Sequence, residues 1–129
     1  MTSAIIFLVG RIIFAIYWLV AAYKHLFESG PMVGYAQFKG VKYPKTAVIG
    51  SGILLLIGGL SMLTGDWPRI GIAALVIFLI GVSYKMHAYW KETDPQKKMS
   101  ERVGFQKNVA LFAALLMMAA IALPWPFSL

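Results

Sequence analysis

Four runs of about 20 apolar residues, separated by short polar connections, limit what this chain can fold into more than any motif does. They cover residues 4–24, 46–63, 70–90 and 103–123. A helix rising 1.5 Å per residue needs about 20 apolar residues to cross roughly 30 Å of hydrocarbon. Lipid offers the backbone no hydrogen-bond partners, so such segments pair their own N–H and C=O groups as helices. The expected fold is therefore all-α: a polytopic membrane protein built as one four-transmembrane-helix bundle over residues 1–129. Composition agrees, since 60% of the residues are hydrophobic and the mean hydropathy is +0.74, well outside the range of soluble domains.

The first run lacks a positively charged start and is interrupted by Arg11, so it reads as a span and not as a cleaved leader. Between it and the second run, Gly30-Pro31 can open a short helix that Gly40 and Pro44 limit. In that segment Met32, Tyr35 and Phe38 are placed to meet the membrane interface, with Lys39, Lys42 and Lys45 facing water. The second run is rich in glycine (Gly50, Gly52, Gly58, Gly59), which in a membrane helix marks close packing more often than breakage. A tight turn around Thr64-Gly65-Asp66-Trp67-Pro68 leads into the third run. There Gly71, Ala74, Phe78, Gly81, Lys85 and Ala88 fall near one helical stripe. The stretch Tyr84 to Asn108 holds six of the twelve Lys and Arg and is expected to be a hydrophilic hinge, with Lys97 and Lys98 in an exposed loop.

Charge orients the bundle. The first and third connections, with their flanking helix ends, carry ten basic residues (Lys24, Lys39, Lys42, Lys45, Lys85, Lys91, Lys97, Lys98, Arg102, Lys107), and the second carries only Arg69. The positive-inside rule places both basic connections in the cytoplasm and both termini outside the plasma or inner membrane. Trp67, Trp125 and Phe127 would then mark the outer boundary, and Tyr23, Tyr84, Tyr89 and Trp90 the inner one. The net charge of +7 lies at the ends of apolar runs, where it meets the lipid bilayer's anionic headgroups, so nucleic acid is not an expected partner. With no cysteine, thiol relays and Cys-ligated metal or iron–sulfur sites are excluded, and no metal site is expected.

Polar residues inside spans are expensive and mark function by default. Arg11, Ala15, Trp18, Ala22 and His25 share one face of the first helix, which points a cation, an indole and an imidazole at the bundle interior. The structural alternative is that Arg11 snorkels to the headgroups or pairs with Asp66. A second group, Lys24, His25, Glu28, Lys85, His87, Lys107 and Asn108, comes from helix ends at one depth. These residues can form a basic cup able to hold an anionic or carbonyl-bearing headgroup; the bland alternative makes them interfacial anchors. The candidate ligand-binding residues are thus Arg11, Trp18, Lys24, His25, Lys85, His87, Lys107 and Asn108, with no catalytic residue assigned. A haem between His25 and His87 is disfavoured, because two histidines in the chain make a weak signal. No Ser/His/Asp set, paired carboxylates or phosphate-binding loop is present.

The order of short motifs resembles the DoxX family of small four-helix membrane proteins. The resemblance runs through Gly10-Arg11, Lys24, Gly30-Pro31-Met32 with Tyr35-Ala36, Pro44, the glycine-rich second helix, His87-Ala88-Tyr89-Trp90-Lys91 and Phe105-Gln106-Lys107-Asn108. Many family members carry an acidic residue early in the second helix, where this chain reads Gly50-Ser51-Gly52, so Arg11 lacks that partner. The resemblance implies an accessory or scaffold subunit of a membrane redox, quinone-linked system; small-residue faces left at lipid by a bundle of this size lead separately to the expectation of a homo-oligomer or a complex with redox partner subunits. The alternative is a small quinone- or lipid-headgroup-binding protein whose basic cytoplasmic-side pocket holds the ligand, with quinone as the candidate cofactor. Fold analogy supplies no reaction.

Overall fold

The computed structural model describes all 129 residues. It contains five α-helices, α1 (Thr2–Phe27), α2 (Gly30–Phe38), α3 (Pro44–Thr64), α4 (Pro68–Met86) and α5 (Pro95–Ala119), with a 3-10 turn at Tyr89–Lys91 and no strand. Proline stands in the first turn of α2, α3, α4 and α5, where its missing N–H removes a donor that would be unpaired anyway. Asp94 caps α5 by accepting from the backbone N–H of Lys97 at 3.4 Å. At the end of α3, Gly65 takes φ +80° and donates its N–H to the Ser61 carbonyl at 2.8 Å. The Ser61 hydroxyl lies 2.7 Å from the Asp66 carbonyl and 3.0 Å from that of Trp67, which secures the turn into α4.

Three segments are long and apolar enough to cross a membrane: Thr2–Phe27, Pro44–Thr64 and Pro68–Lys91, the last being α4 with the 3-10 turn. They contain the expected runs 4–24, 46–63 and 70–90. The fourth run, 103–123, departs from expectation, since α5 begins eight residues earlier and stops at Ala119. Both differences have local causes. Asp94-Pro95 is a helix start, so the basic stretch Pro95 to Lys107 is helical and not an exposed loop, and Lys97 and Lys98 lie in the first turn of α5. Pro124 clashes with a helical carbonyl four residues back, at Ala120, which ends the helix there.

α3 packs between α1 and α4, and its glycines set how closely they approach. A Cβ on Gly58 would stand 2.3 Å from Leu75, and one on Gly59 would stand 2.7 Å from Leu19. Across the same contact with α4, a Cβ on Gly71 would meet Ser61 at 2.4 Å. Small residues on these faces let backbones approach where lipid gives no hydrophobic push between helices. Around that contact the core gathers Ala15, Trp18, Ala22, Leu55, Met62, Leu75, Leu79, Leu115 and Trp125. The stripe on the third run is only half buried: Gly71 and Ala74 are inside, while Gly81 and Lys85 are exposed.

Candidate functional site

At one end of the bundle the buried stripe of α1 is as the helical period requires, with Arg11, Ala15, Trp18 and Ala22 all inside. Arg11 is 2% exposed, so it does not snorkel to the surface. Its Nη1 donates to the carbonyl of Pro126 at 2.8 Å and its Nη2 to that of Phe127 at 3.2 Å. No ion pair forms with Asp66. The guanidinium instead clasps the C-terminal tail, which Leu129 N–H ties to the Thr64 carbonyl at 3.1 Å. Trp125 joins the same clasp, buried edge-on against Phe7 at 5.3 Å between ring centroids. Gly65 completes it, because a Cβ there would stand 2.9 Å from Arg11 Nη1.

A second clasp forms around Glu101, which is 8% exposed. Its carboxylate accepts from the Tyr35 hydroxyl and lies 3.1 Å from His87 Nδ1 and 3.7 Å from Lys39 Nζ. Lys39 also pairs with Glu92 at 2.7 Å. Four parts of the chain meet here: α2 through Tyr35, its C-cap through Lys39, the link after α4 through His87 and Glu92, and α5 through Glu101. An aromatic group stands beside it, with Tyr84, Tyr89 and Trp90 each edge-on to Phe105. Lys39, expected to face water, is instead drawn in, with only 11% of its side chain exposed.

Charge follows from this geometry. Burial raises the Tyr35 phenol above its usual 10.0, and the hydrogen bond and negative charge of Glu101 add to the rise. Burial pulls the Lys39 ammonium down, but the hydrogen bond to Glu92, the charge of Glu101 and contact with Tyr35 together lift it above its usual 10.5. Both groups hold protons more tightly when folded, so their contribution is complete below the unfolded values and lost as pH climbs through the raised ones. The attachment of α2 should therefore be unchanged from neutral pH to pH 9 and loosen above roughly pH 10. Hydrogen exchange of the α2 amides across that range would show it, and loosening already at pH 8 would contradict it.

The residues expected to form one basic cup are divided among several places. His87 belongs to the Glu101 clasp. His25 directs Nδ1–H to the Ala21 carbonyl at 2.8 Å and sits edge-on to Phe78. Asn108, buried, donates from Nδ2 to Ser83 Oγ at 3.2 Å and so joins α5 to α4. Lys24, Lys85 and Lys107 are exposed, and their side chains make no hydrogen bond or ion pair; Lys107 rests over the Tyr17 ring at 5.9 Å. Trp18 is buried against Phe14, Tyr17 and Phe78. Tyr35, Lys39, Glu92, Glu101 and Ser83 were not among the expected site residues. One signal for Glu101 existed: with five acidic against twelve basic residues, a carboxylate inside the basic stretch is a scarce partner.

These groups can order helices and pass a proton between His87, Glu101 and Tyr35, whose polar atoms are in hydrogen-bond contact. No three His, Asp or Glu side chains are grouped to hold a metal ion. A family model described as DoxX matches residues 6–88. No characterised protein and no solved structure matches the chain.

Proposed function

This chain belongs to the DoxX family, and we propose from that premise that it is an integral-membrane accessory or scaffold subunit associated with a quinone-linked redox system. One observation carries the scaffold reading: the buried side chains of Arg11, Asn108 and Glu101 join parts of the chain, while the buried indole N–H groups of Trp18 and Trp125 and Nε of Arg11 have no partner. Arg11 holds the tail, Asn108 holds Ser83, and Glu101 holds Tyr35, His87 and Lys39. Two open grooves lie elsewhere, one along α1 and one beside the α3–α4 turn, and neither is lined by Arg11, Asn108 or Glu101. The redox association rests on family resemblance.

The same reading takes residues 1–129 as one domain with four spans. Its last span comprises the apolar half of α5 and the segment to Leu123, placing both termini outside the plasma or inner membrane and the Glu101 clasp at the cytoplasmic boundary. Charge asymmetry supports that orientation. Exposed small residues at Gly81, Ala110 and Ala113 offer faces to a second copy or to redox partner subunits. A photo-crosslinker at Gly81 or Ala113 in native membranes should capture a quinone-linked membrane complex, and adducts with lipid alone would count against the scaffold role.

A second reading, a quinone- or headgroup-binding protein, is favoured by the His87–Glu101–Tyr35 chain beside Tyr84, Trp90 and Phe105. Proton exchange and aromatic contact are what a quinone ring requires. In that reading the candidate ligand-binding residues are Arg11, Trp18, Lys24, His25, Lys85, His87, Lys107 and Asn108.

A further inference from the structure

We propose that the outer face of α1 binds a phospholipid with a primary-amine headgroup, a phosphatidylethanolamine, at a groove lined by Ile16, Leu19, Val20, Tyr23, Lys24 and Glu28. Along this one helix the chemistry passes from apolar to cationic to anionic. From Ile16 to Tyr23 the lining is apolar over about 10 Å of helix, enough to carry part of an acyl chain. Tyr23, with its polar tip, marks the passage to the headgroup layer. Lys24 follows, and Glu28 lies one turn farther out, about 6 Å along the axis, at the C-cap of α1.

Neither charged side chain is engaged elsewhere. The three ion pairs of the protein involve Lys39, His87, Glu92 and Glu101, and both Lys24 and Glu28 are exposed. Although four residues apart, they do not pair, consistent with the weaker Lys-before-Glu order on a helix. A free cation nearer the hydrocarbon and a free carboxylate farther out mirror the phosphate and ammonium of an ethanolamine lipid, whose phosphate lies nearer its acyl chains than its amine. The ammonium N–H groups can donate to Glu28. A choline headgroup has no N–H to donate, and a phosphatidylglycerol headgroup would bring no cation to Glu28.

The test is native mass spectrometry of the full chain from detergent micelles containing equal amounts of phosphatidylethanolamine, phosphatidylcholine and phosphatidylglycerol. The ethanolamine lipid should be retained about fivefold over phosphatidylglycerol, the scale of one exposed ion pair, and about twofold over phosphatidylcholine, whose cation can still face Glu28 but cannot donate a hydrogen bond to it. Glu28→Gln should abolish that preference, and Lys24→Gln should lower retention of all three lipids. Equal retention of the three by the unmodified protein, or preferred retention of phosphatidylglycerol, would overturn the proposal without recourse to any variant. An ethanolamine preference untouched by Glu28→Gln would overturn it too, as would a lipid-free dimer, which would assign the groove to a second copy.

Discussion

Replacing Arg11 with Met should release the C-terminal tail while leaving the helices assembled. Two charge-assisted hydrogen bonds to the Pro126 and Phe127 carbonyls disappear, each of a kind that contributes about 1.5–3 kcal/mol. A loss of about 3 kcal/mol for tail docking corresponds to roughly 100-fold faster hydrogen exchange at the Leu129 amide, whose acceptor is Thr64. Global stability should fall by much less, because the variant also removes a buried cation that has no carboxylate partner and is costly to desolvate. Lysine should be intermediate, since one ammonium cannot reproduce the planar fork across two carbonyls. Unchanged Leu129 exchange in the Met variant would show that the tail is held by Trp125 packing alone.

The second large effect is expected at Glu101. Glu101→Leu removes the shared acceptor of Tyr35, His87 and Lys39. Breaking a buried ion pair by deleting one partner costs about 3–5 kcal/mol; Lys39 keeps Glu92, so about 2–3 kcal/mol is the expected loss here. The loss should be local to α2. Ala36, 3% exposed on its buried face, provides the reporter: a cysteine placed there should react with a water-soluble maleimide about 30- to 100-fold faster in the Leu variant. Glu101→Gln keeps an acceptor and should show a smaller rise. Equal labelling in all three proteins would mean that α2 is held by other contacts.

Much of the architecture could be read from apolar run length and Gly/Pro punctuation. The period of α1 put Arg11, Ala15, Trp18 and Ala22 on one buried face, and Gly30-Pro31 opened α2 where expected. The start of α5 was legible in Asp94-Pro95, but the density of Lys and Arg after it suggested a solvated loop and concealed a capped helix. The partners of the polar groups were not legible, because they join residues far apart in sequence. Arg11 meets carbonyls 115 and 116 positions away, and Tyr35 meets a carboxylate 66 positions away. Backbone carbonyls leave no sequence signature, so nothing in the residue types announced the tail as the acceptor for Arg11. The cup dispersed for a related reason: similar depth at helix ends does not fix which way each side chain turns around its helix, and Lys24, Lys85 and Lys107 turn outward.

Quinone content distinguishes buried polar groups that join helices from groups that are a ligand's first contacts. The protein and its Glu101→Gln variant, purified from native membranes in mild detergent, would be extracted with solvent and their quinone quantified per chain. If the polar groups serve as ties, both proteins carry the same small, substoichiometric quinone while the variant melts at a lower temperature. One quinone per chain in the unmodified protein, lost in the Glu101→Gln variant, would contradict their role as ties and make the Glu101 clasp a binding site.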